Sequence, residues 1–342
     1  MLNYTTATTT QLSALWSIPT DLWPSIIRFI IYIIEGLILV ICNGILVVTI
    51  AKHRALRSLK EFILIGGLAL ADAVCGTGTL FAGLYRIPKL IQGTASDPAS
   101  RRDCFFKPQN LFWVIGQPLS GVMLLAVSVD RFLAVSMPLK YIKLTRRYAI
   151  RFVGCIYAAL ILQYLLMAIR VWPETSLNVT QICYSGDAVL RFDYQFYFYQ
   201  MTVASFGSIG LYLAIGVMYK RSNAQVGVAD DREVQAQLAR QRKLTRTIAM
   251  SALCTFFFYA MPTMVVQLGY QIPDFDYGML AVWSWIISNF NPMMNFYIYM
   301  KKQREVRIGV KALFQCKTMP PTLRAWPTYT TTGAAGAATT HH

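Results

Sequence analysis

Three ionisable residues stand where an apolar chain rarely tolerates them. Asp72 closes LALAD inside a long apolar stretch, and Asp130 and Arg131 sit side by side in AVSVDRFLAVSMPLKY. Two aspartates raise the question of an acid–base pair. They fall near opposite depths of their stretches, and no GxGD motif accompanies either, so an aspartyl-protease centre is not indicated. Histidine chemistry is no better supported. The three histidines are His53, in a connecting segment, and His341 and His342, in the tail. They supply neither a Ser-His dyad nor a metal site within an apolar stretch. Charge handling remains. A guanidinium keeps its proton, so Arg131 switches only by changing partner: held by Asp130 in one state, turned toward a partner's carbonyls in another. Taken alone, Arg131 equally fits a helix-end arginine reaching lipid headgroups.

The elements that position these residues follow from composition. Of 342 residues, 55% are hydrophobic and 14% charged, against about 25% charged in soluble domains. That deficit implies a membrane protein. The net charge of +16 is not gathered on one domain. Basic residues recur in short blocks between apolar runs, which suits lipid headgroups and gives no nucleic-acid partner. Seven runs reach the length of about 20 residues that a crossing needs: about 24–50, 62–85, 108–135, 148–171, 194–219, 244–270 and 277–300. No strand alternation appears. The fold class is an all-α membrane protein: a seven-transmembrane helix bundle (24–300) after an extracellular segment (1–23). A short cytoplasmic amphipathic helix (301–316) and a disordered tail (317–342) follow. Val306, Val310, Leu313 and Phe314 recur at helical spacing with Lys and Arg between them, which lays that helix on the inner leaflet. Cys316 either carries palmitate there or is a free thiol.

Lys52, Arg54, Arg57 and Lys60 fill the first connection; Lys140, Lys143, Arg146 and Arg147 fill the third; Lys220, Arg221, Arg240 and Arg242 fill the fifth. The positive-inside rule puts these in the cytoplasm, with the N-terminus outside the plasma membrane and the C-terminus inside. The glycosylation sequons at Asn3 and Asn178 fall outside. Cys104 and Cys183 also fall there, where a disulfide can persist. The first twenty residues are Thr-rich without a basic n-region, so the first apolar run is expected to act as an uncleaved insertion signal.

Further residues recur in one order. Asn43-Gly44-Ile45-Leu46-Val47 lies in the first run and Leu68-Ala69-Leu70-Ala71-Asp72 in the second. Asp130-Arg131-Phe132 with Pro138-Leu139-Lys140-Tyr141 ends the third, Pro262 lies in the sixth, and Asn291-Pro292 in the seventh. The ordered set resembles rhodopsin-like (class A) G protein-coupled receptors. LRSLKEFILIGGLALAD, with DRF in place of DRY, is most similar to the nematode serpentine chemoreceptors of the srsx class. The resemblance implies a receptor, not an enzyme, that activates a heterotrimeric G protein through Asp130, Arg131 and Phe132. It also implies pivots at Pro262 and Pro292, a relay at Phe256, switch positions at Tyr212, Asn291 and Asn295, and a Cys104–Cys183 disulfide. Each proline removes a backbone hydrogen bond and kinks its helix. Asn43, Asp72 and Ser120 form the implied polar core. Asp72 is read both as an anchor bonded to Asn43 and Asn291 and as a cation- or proton-sensitive switch, with a sodium ion the one cofactor considered. The chain departs from the pattern at Ala260 (the usual Trp), Asn295 (the usual Tyr), Tyr157 (Trp) and Ala204 (Pro). Arg242 stands where an acid often faces the Arg131 position, and Cys104 lies two residues farther from Asp130 than is usual.

Trp113, Gln117, Ser120, Leu124, Ser128 and Arg131 follow helical spacing and share one inward face. Its outer part carries no carboxylate, and Trp113 stands where amine receptors place Asp, which disfavours an amine ligand. The seventh run has no Lys for a retinal Schiff base. Candidate ligand contacts are Glu35, Tyr85, Gln109, Trp113, Gln117, Tyr197, Gln200, Tyr270 and Tyr277. Glu35 is alternatively a salt-bridge partner of an outer Arg. Arg101-Arg102 forms either a basic rim for an acidic ligand or a solvated loop. Odorant and neuropeptide-like ligands both stay open. The rival reading, a transporter or channel without G protein coupling, predicts inverted repeats, broken helices in matching halves or rings of charge, and none is visible.

Overall fold

A computed structural model of the chain describes residues 22–222, 245, 247, 249–270 and 277–317. In chain order it contains α1 (Trp23–Lys52), α2 (Arg54–Arg57), α3 (Lys60–Ile91), β1 (Pro98–Ala99), α4 (Arg101–Phe105), α5 (Pro108–Ser136), α6 (Pro138–Lys143) and α7 (Arg146–Val171). Then come β2 (Val179–Thr180), α8 (Ser185–Ala188), α9 (Arg191–Ser222), a π-helical turn (Phe256–Ala260), α10 (Met261–Tyr270), α11 (Tyr277–Lys302) and α12 (Arg304–Phe314). Among the described residues, six stretches are long and apolar enough to cross a membrane: α1, α3, α5, α7, the Arg191–Met218 part of α9, and Ala249–Val266, which includes the π turn. The 26-residue α11 is the seventh long helix; its Ser284, Ser288, Asn289 and Asn295 are buried. The expected seven-helix bundle is the fold.

Burial is inverted relative to a water-soluble protein. Ile27, Ile34, Leu37 and Ile41 of α1, Leu162, Leu165 and Ile169 of α7, and Val203 and Leu213 of α9 are exposed, while Asn43, Asp72, Ser128 and Asn295 are buried. A lipid solvent rewards this arrangement, because polar groups then satisfy one another inside the bundle. α5 is the central post, packed against α3, α7 and α9, while α1 lies on α3 and α11. Close approach depends on missing side chains. A Cβ on Gly36 would run into the backbone of Leu80, and one on Gly116 would come within 2.7 Å of the Cys75 nitrogen.

Prolines mark the breaks. Pro24, Pro108 and Pro138 occupy first-turn positions, where a missing N–H costs nothing. Pro138 also forces α5 to stop, since the residue before a proline disfavours helical geometry. Pro262 behaves differently. The π turn immediately before it absorbs the ring's conflict with the preceding turn, and Thr263 Oγ1 donates to the Tyr259 carbonyl at 2.7 Å. At the far end of the chain the expected apolar stripe of α12 divides. Val306 and Val310 are buried in the main core with Leu56, whereas Phe314 is 69% exposed. Half of the face predicted to lie on lipid is protein contact.

Between α3 and α5, β1 pairs antiparallel with β2 from the connection after α7, Pro98 opposite Thr180 and Ala99 opposite Val179. Cys104 and Cys183 form a disulfide beside this ladder. Cys104 belongs to the separate short helix α4.

Candidate functional site

At the end of the bundle opposite the disulfide, Asp130 and Arg131 are both buried. Arg131 Nη2 donates to Asp130 Oδ2 and, at 2.7 Å, to the Tyr141 hydroxyl; that hydroxyl donates to the same Asp130 oxygen at 2.9 Å. Tyr141 arrives from α6, made reachable by the turn at Pro138. Burial pushes its phenol above the ordinary range, so the hydroxyl stays protonated and available as donor. Lys60 of α3 completes the arrangement. Its amine donates to the carbonyls of Tyr141 and, at 3.0 Å, Leu144, and lies 3.7 Å from the centre of the Tyr141 ring. Phe132 is half-buried beside the pair.

Polar side chains continue toward the middle of the bundle. Ser128 and Ser208 share a hydrogen bond between α5 and α9, and Tyr212 follows one turn later on α9, its hydroxyl beside Ser128. Ser251 donates to Asn295, and the Thr255 hydroxyl lies 2.9 Å from Asn291 Oδ1. These two links tie the sixth span to α11 on either side of Pro292. Just beyond both segments, Gln303 Nε2 donates to Thr247 Oγ1 at 2.9 Å. Phe256 lies in the π turn, edge-on to Phe257. Tyr157, in place of the usual tryptophan, donates to the Gly67 carbonyl at 2.7 Å and so ties α7 to α3.

A cavity of about 50 Å³ opens at mid-bundle, lined by Asp72, Gln117, Ser120, Tyr259, Trp285 and Asn289 among others. It holds a few water-sized particles, not an odorant or a peptide. Asp72 faces Ser120. The expected bonds from Asp72 to Asn43 and Asn291 are not made. Asn43 Nδ2 donates to the Leu39 carbonyl of its own helix at 3.1 Å, and Asn291 is engaged by Thr255. No cluster of three or more His, Cys, Asp or Glu suited to a metal occurs among the described residues.

Toward the disulfide end the predicted ligand contacts separate. Glu35, Trp113 and Gln117 converge. Asn289 Nδ2 donates to Glu35 Oε2 at 2.8 Å, and Trp113 stacks on Trp285 at 6.5 Å. The expected partner of Glu35, an outer arginine, is replaced by this asparagine; Arg28 bonds to Pro24 and Ser25 on its own turn. Trp113 Nε1 also donates to Thr79 at 3.1 Å. Gln109 is buried with neither amide atom hydrogen-bonded among the described residues. Tyr85 lies under Lys107. Tyr197 is buried in the cluster joining α5, α7 and α9, and Gln200 accepts from Gln163 at 3.1 Å. The side chains of Tyr270 and Tyr277 lie outside the described residues. So do Asn3, Arg242 and the tail beyond Lys317. Asn178 is an exposed loop residue, and Cys316 is an exposed free thiol.

Residues 37–314 match the model of the serpentine-type seven-transmembrane GPCR chemoreceptor family Srsx. The chain belongs to that family. It is also similar to "G-protein coupled receptor 12" of Rattus norvegicus, Mus musculus and Homo sapiens, 24% identical over 298 residues, which cover 83% of this chain and 80% of each relative. An Srsx member is a multi-pass membrane receptor. Of the residues around Arg131 and in the links of the sixth span, Lys60, Thr255 and Ser251 are not singled out by sequence. Tyr141 had a signal, its place in PLKY after DRF. Lys60 was counted as a loop charge, although it is 8% exposed.

Proposed function

We propose that this Srsx receptor binds an extracellular odorant or neuropeptide-like ligand at the disulfide end and activates a heterotrimeric G protein at the Arg131 end. The observation that carries the reading is the buried Asp130–Arg131–Tyr141 cluster. A cation held by two neighbours at a helix end has a second arrangement available, in which it leaves them for backbone carbonyls of a partner. The polar links between the sixth span and α11 supply the route by which a change near Trp285 reaches that end. The basic connections at the Arg131 end support placing it in the cytoplasm, with the N-terminus outside. On that placement Asn178 is a glycosylation acceptor and Cys316 a palmitoylation site beside the inner leaflet. The direct test is Arg131→Ala. Ligand-stimulated nucleotide exchange on the G protein is expected to be abolished, with surface amount and ligand binding retained. Full exchange by this variant would refute the scheme.

Asp72 is proposed as the holder of a sodium ion. A lone carboxylate with hydroxyl and amide oxygens around a small cavity suits a hard monovalent cation. Asp72→Asn is expected to remove any sodium dependence of ligand affinity, measured by titration in sodium and in potassium buffers. An unaltered difference between the two buffers would reduce Asp72 to packing.

A further inference from the structure

The disulfide end holds a positive charge that the scheme above leaves unused. Arg86, near the end of α3, is 1% exposed. Its Nε donates to the Ile182 carbonyl at 3.1 Å and its Nη2 to the Cys183 carbonyl at 3.0 Å. Its guanidinium faces the rings of Tyr184 at 4.8 Å, Trp113 at 5.1 Å and Phe29 at 5.6 Å. The ion pairs among the described residues are Arg102–Asp103, Arg131–Asp130 and Arg170–Asp193, so no carboxylate is paired with Arg86 there. Asp187 in α8 acts on it from farther away and is shared with Arg101.

Buried charges are normally paired, because carbonyl dipoles and ring faces offset only part of the lost hydration. A guanidinium also offers a planar fork that matches a carboxylate better than two separate carbonyls. One turn before Trp113, Gln109 is buried with neither amide atom partnered among the described residues. Beside these groups the Trp113–Trp285 stack presents an apolar platform, its rings inclined by 20°.

We propose that Arg86 receives the carboxylate of a small apolar acid whose body lies on the Trp113–Trp285 stack. This rests on the reading of the disulfide end as the ligand side. The acid takes over the two N–H groups that now hold Ile182 and Cys183, so its binding loosens the connection before α8 while the disulfide keeps Cys183 in place. A primary amide of the same shape lacks the charge and gains little. The ligand is small because the disulfide-linked connection, through Ile182, covers the aromatic cluster.

The test uses the full chain, purified in detergent, and a panel of straight-chain, phenyl and indolyl carboxylic acids, each matched with its primary amide. Melting temperature and equilibrium binding are read. One or more acids are expected to raise the melting temperature where their amides do not. Arg86→Lys, which keeps the charge and loses the fork, is expected to weaken that binding about tenfold or more. The proposal is overturned if no acid binds, if amides match their acids, or if Arg86→Lys binds the acids as wild type does. Should that variant fail to fold, the acid–amide comparison on wild type decides alone. Nucleotide exchange on a G protein, measured in parallel, separates the two readings. Acids that bind without eliciting exchange refute coupling and leave this site standing, whereas exchange elicited by a ligand other than an acid, in a chain that ignores acids, does the reverse.

Discussion

Asp130→Ala is expected to raise ligand-free nucleotide exchange well above wild type while lowering the melting temperature of the receptor. The variant leaves Arg131 buried without its carboxylate, and the Tyr141 hydroxyl without its acceptor. Removing one member of a buried ion pair typically costs about 3–5 kcal/mol, mostly the penalty of the charge left behind. On the proposed scheme that cost falls on the resting arrangement alone, because Arg131 turns away in the active one. The equilibrium therefore moves toward the open state by roughly two to three and a half orders of magnitude. Tyr141→Phe grades the same effect. It removes one hydroxyl that accepts from Arg131 and donates to Asp130, a loss of about 1–3 kcal/mol, and leaves the ion pair intact. Basal exchange per receptor at the surface should rank Asp130→Ala above Tyr141→Phe above wild type. An Asp130→Ala receptor that folds and stays as quiet as wild type would show that the pair does not restrain Arg131.

The legible part of this receptor is what neighbouring residues decide among themselves. Hydropathy located the long helices, and the Asp130–Arg131 bond joins adjacent residues. The third member of that cluster lies ten positions on, in another helix, and depends on how the chain turns at Pro138. Arg86 and Lys60 show the limit more sharply. Both stand just outside the apolar run of about 62–85, where hydropathy places a connection. The helix extends from Lys60 to Ile91, through Pro88. Each cation is then buried by a segment far away in sequence: Arg86 by Ile182 and Cys183, Lys60 by Tyr141 and Leu144. Nothing local announces such a partner. The sixth span is an intermediate case. Pro262 signals a kink, yet whether the freed carbonyls are met by water, by a wider turn or by a hydroxyl is a question of the surrounding structure. Here a π turn and Thr263 both contribute.

Cys104→Ser is expected to reduce the folded receptor reaching the surface to a small fraction of wild type. The disulfide closes a loop with a sequence separation of 79. For a free chain that closure is worth about 4.5 kcal/mol. In a bilayer the inserted helices already confine the unfolded ensemble, so less than this comes from entropy, and local structure supplies the remainder. Cys183 is held in the left-handed region, at φ 51°, which a non-glycine residue adopts only when its surroundings impose it. Its carbonyl accepts from both Asn110, at 3.2 Å, and Arg86, at 3.0 Å. Release of the sulfur lets Cys183 relax, and the two donors then lose a common acceptor inside the bundle. Because the effect belongs to the bond and not to either thiol, Cys183→Ser should match Cys104→Ser, and the double variant should be no worse than either single one. Surface biotinylation and melting temperature across the three variants decide it. Additive losses would mean that each cysteine contributes through separate contacts, and an undiminished surface level would mean that the β1–β2 ladder and Arg86 hold this end unaided.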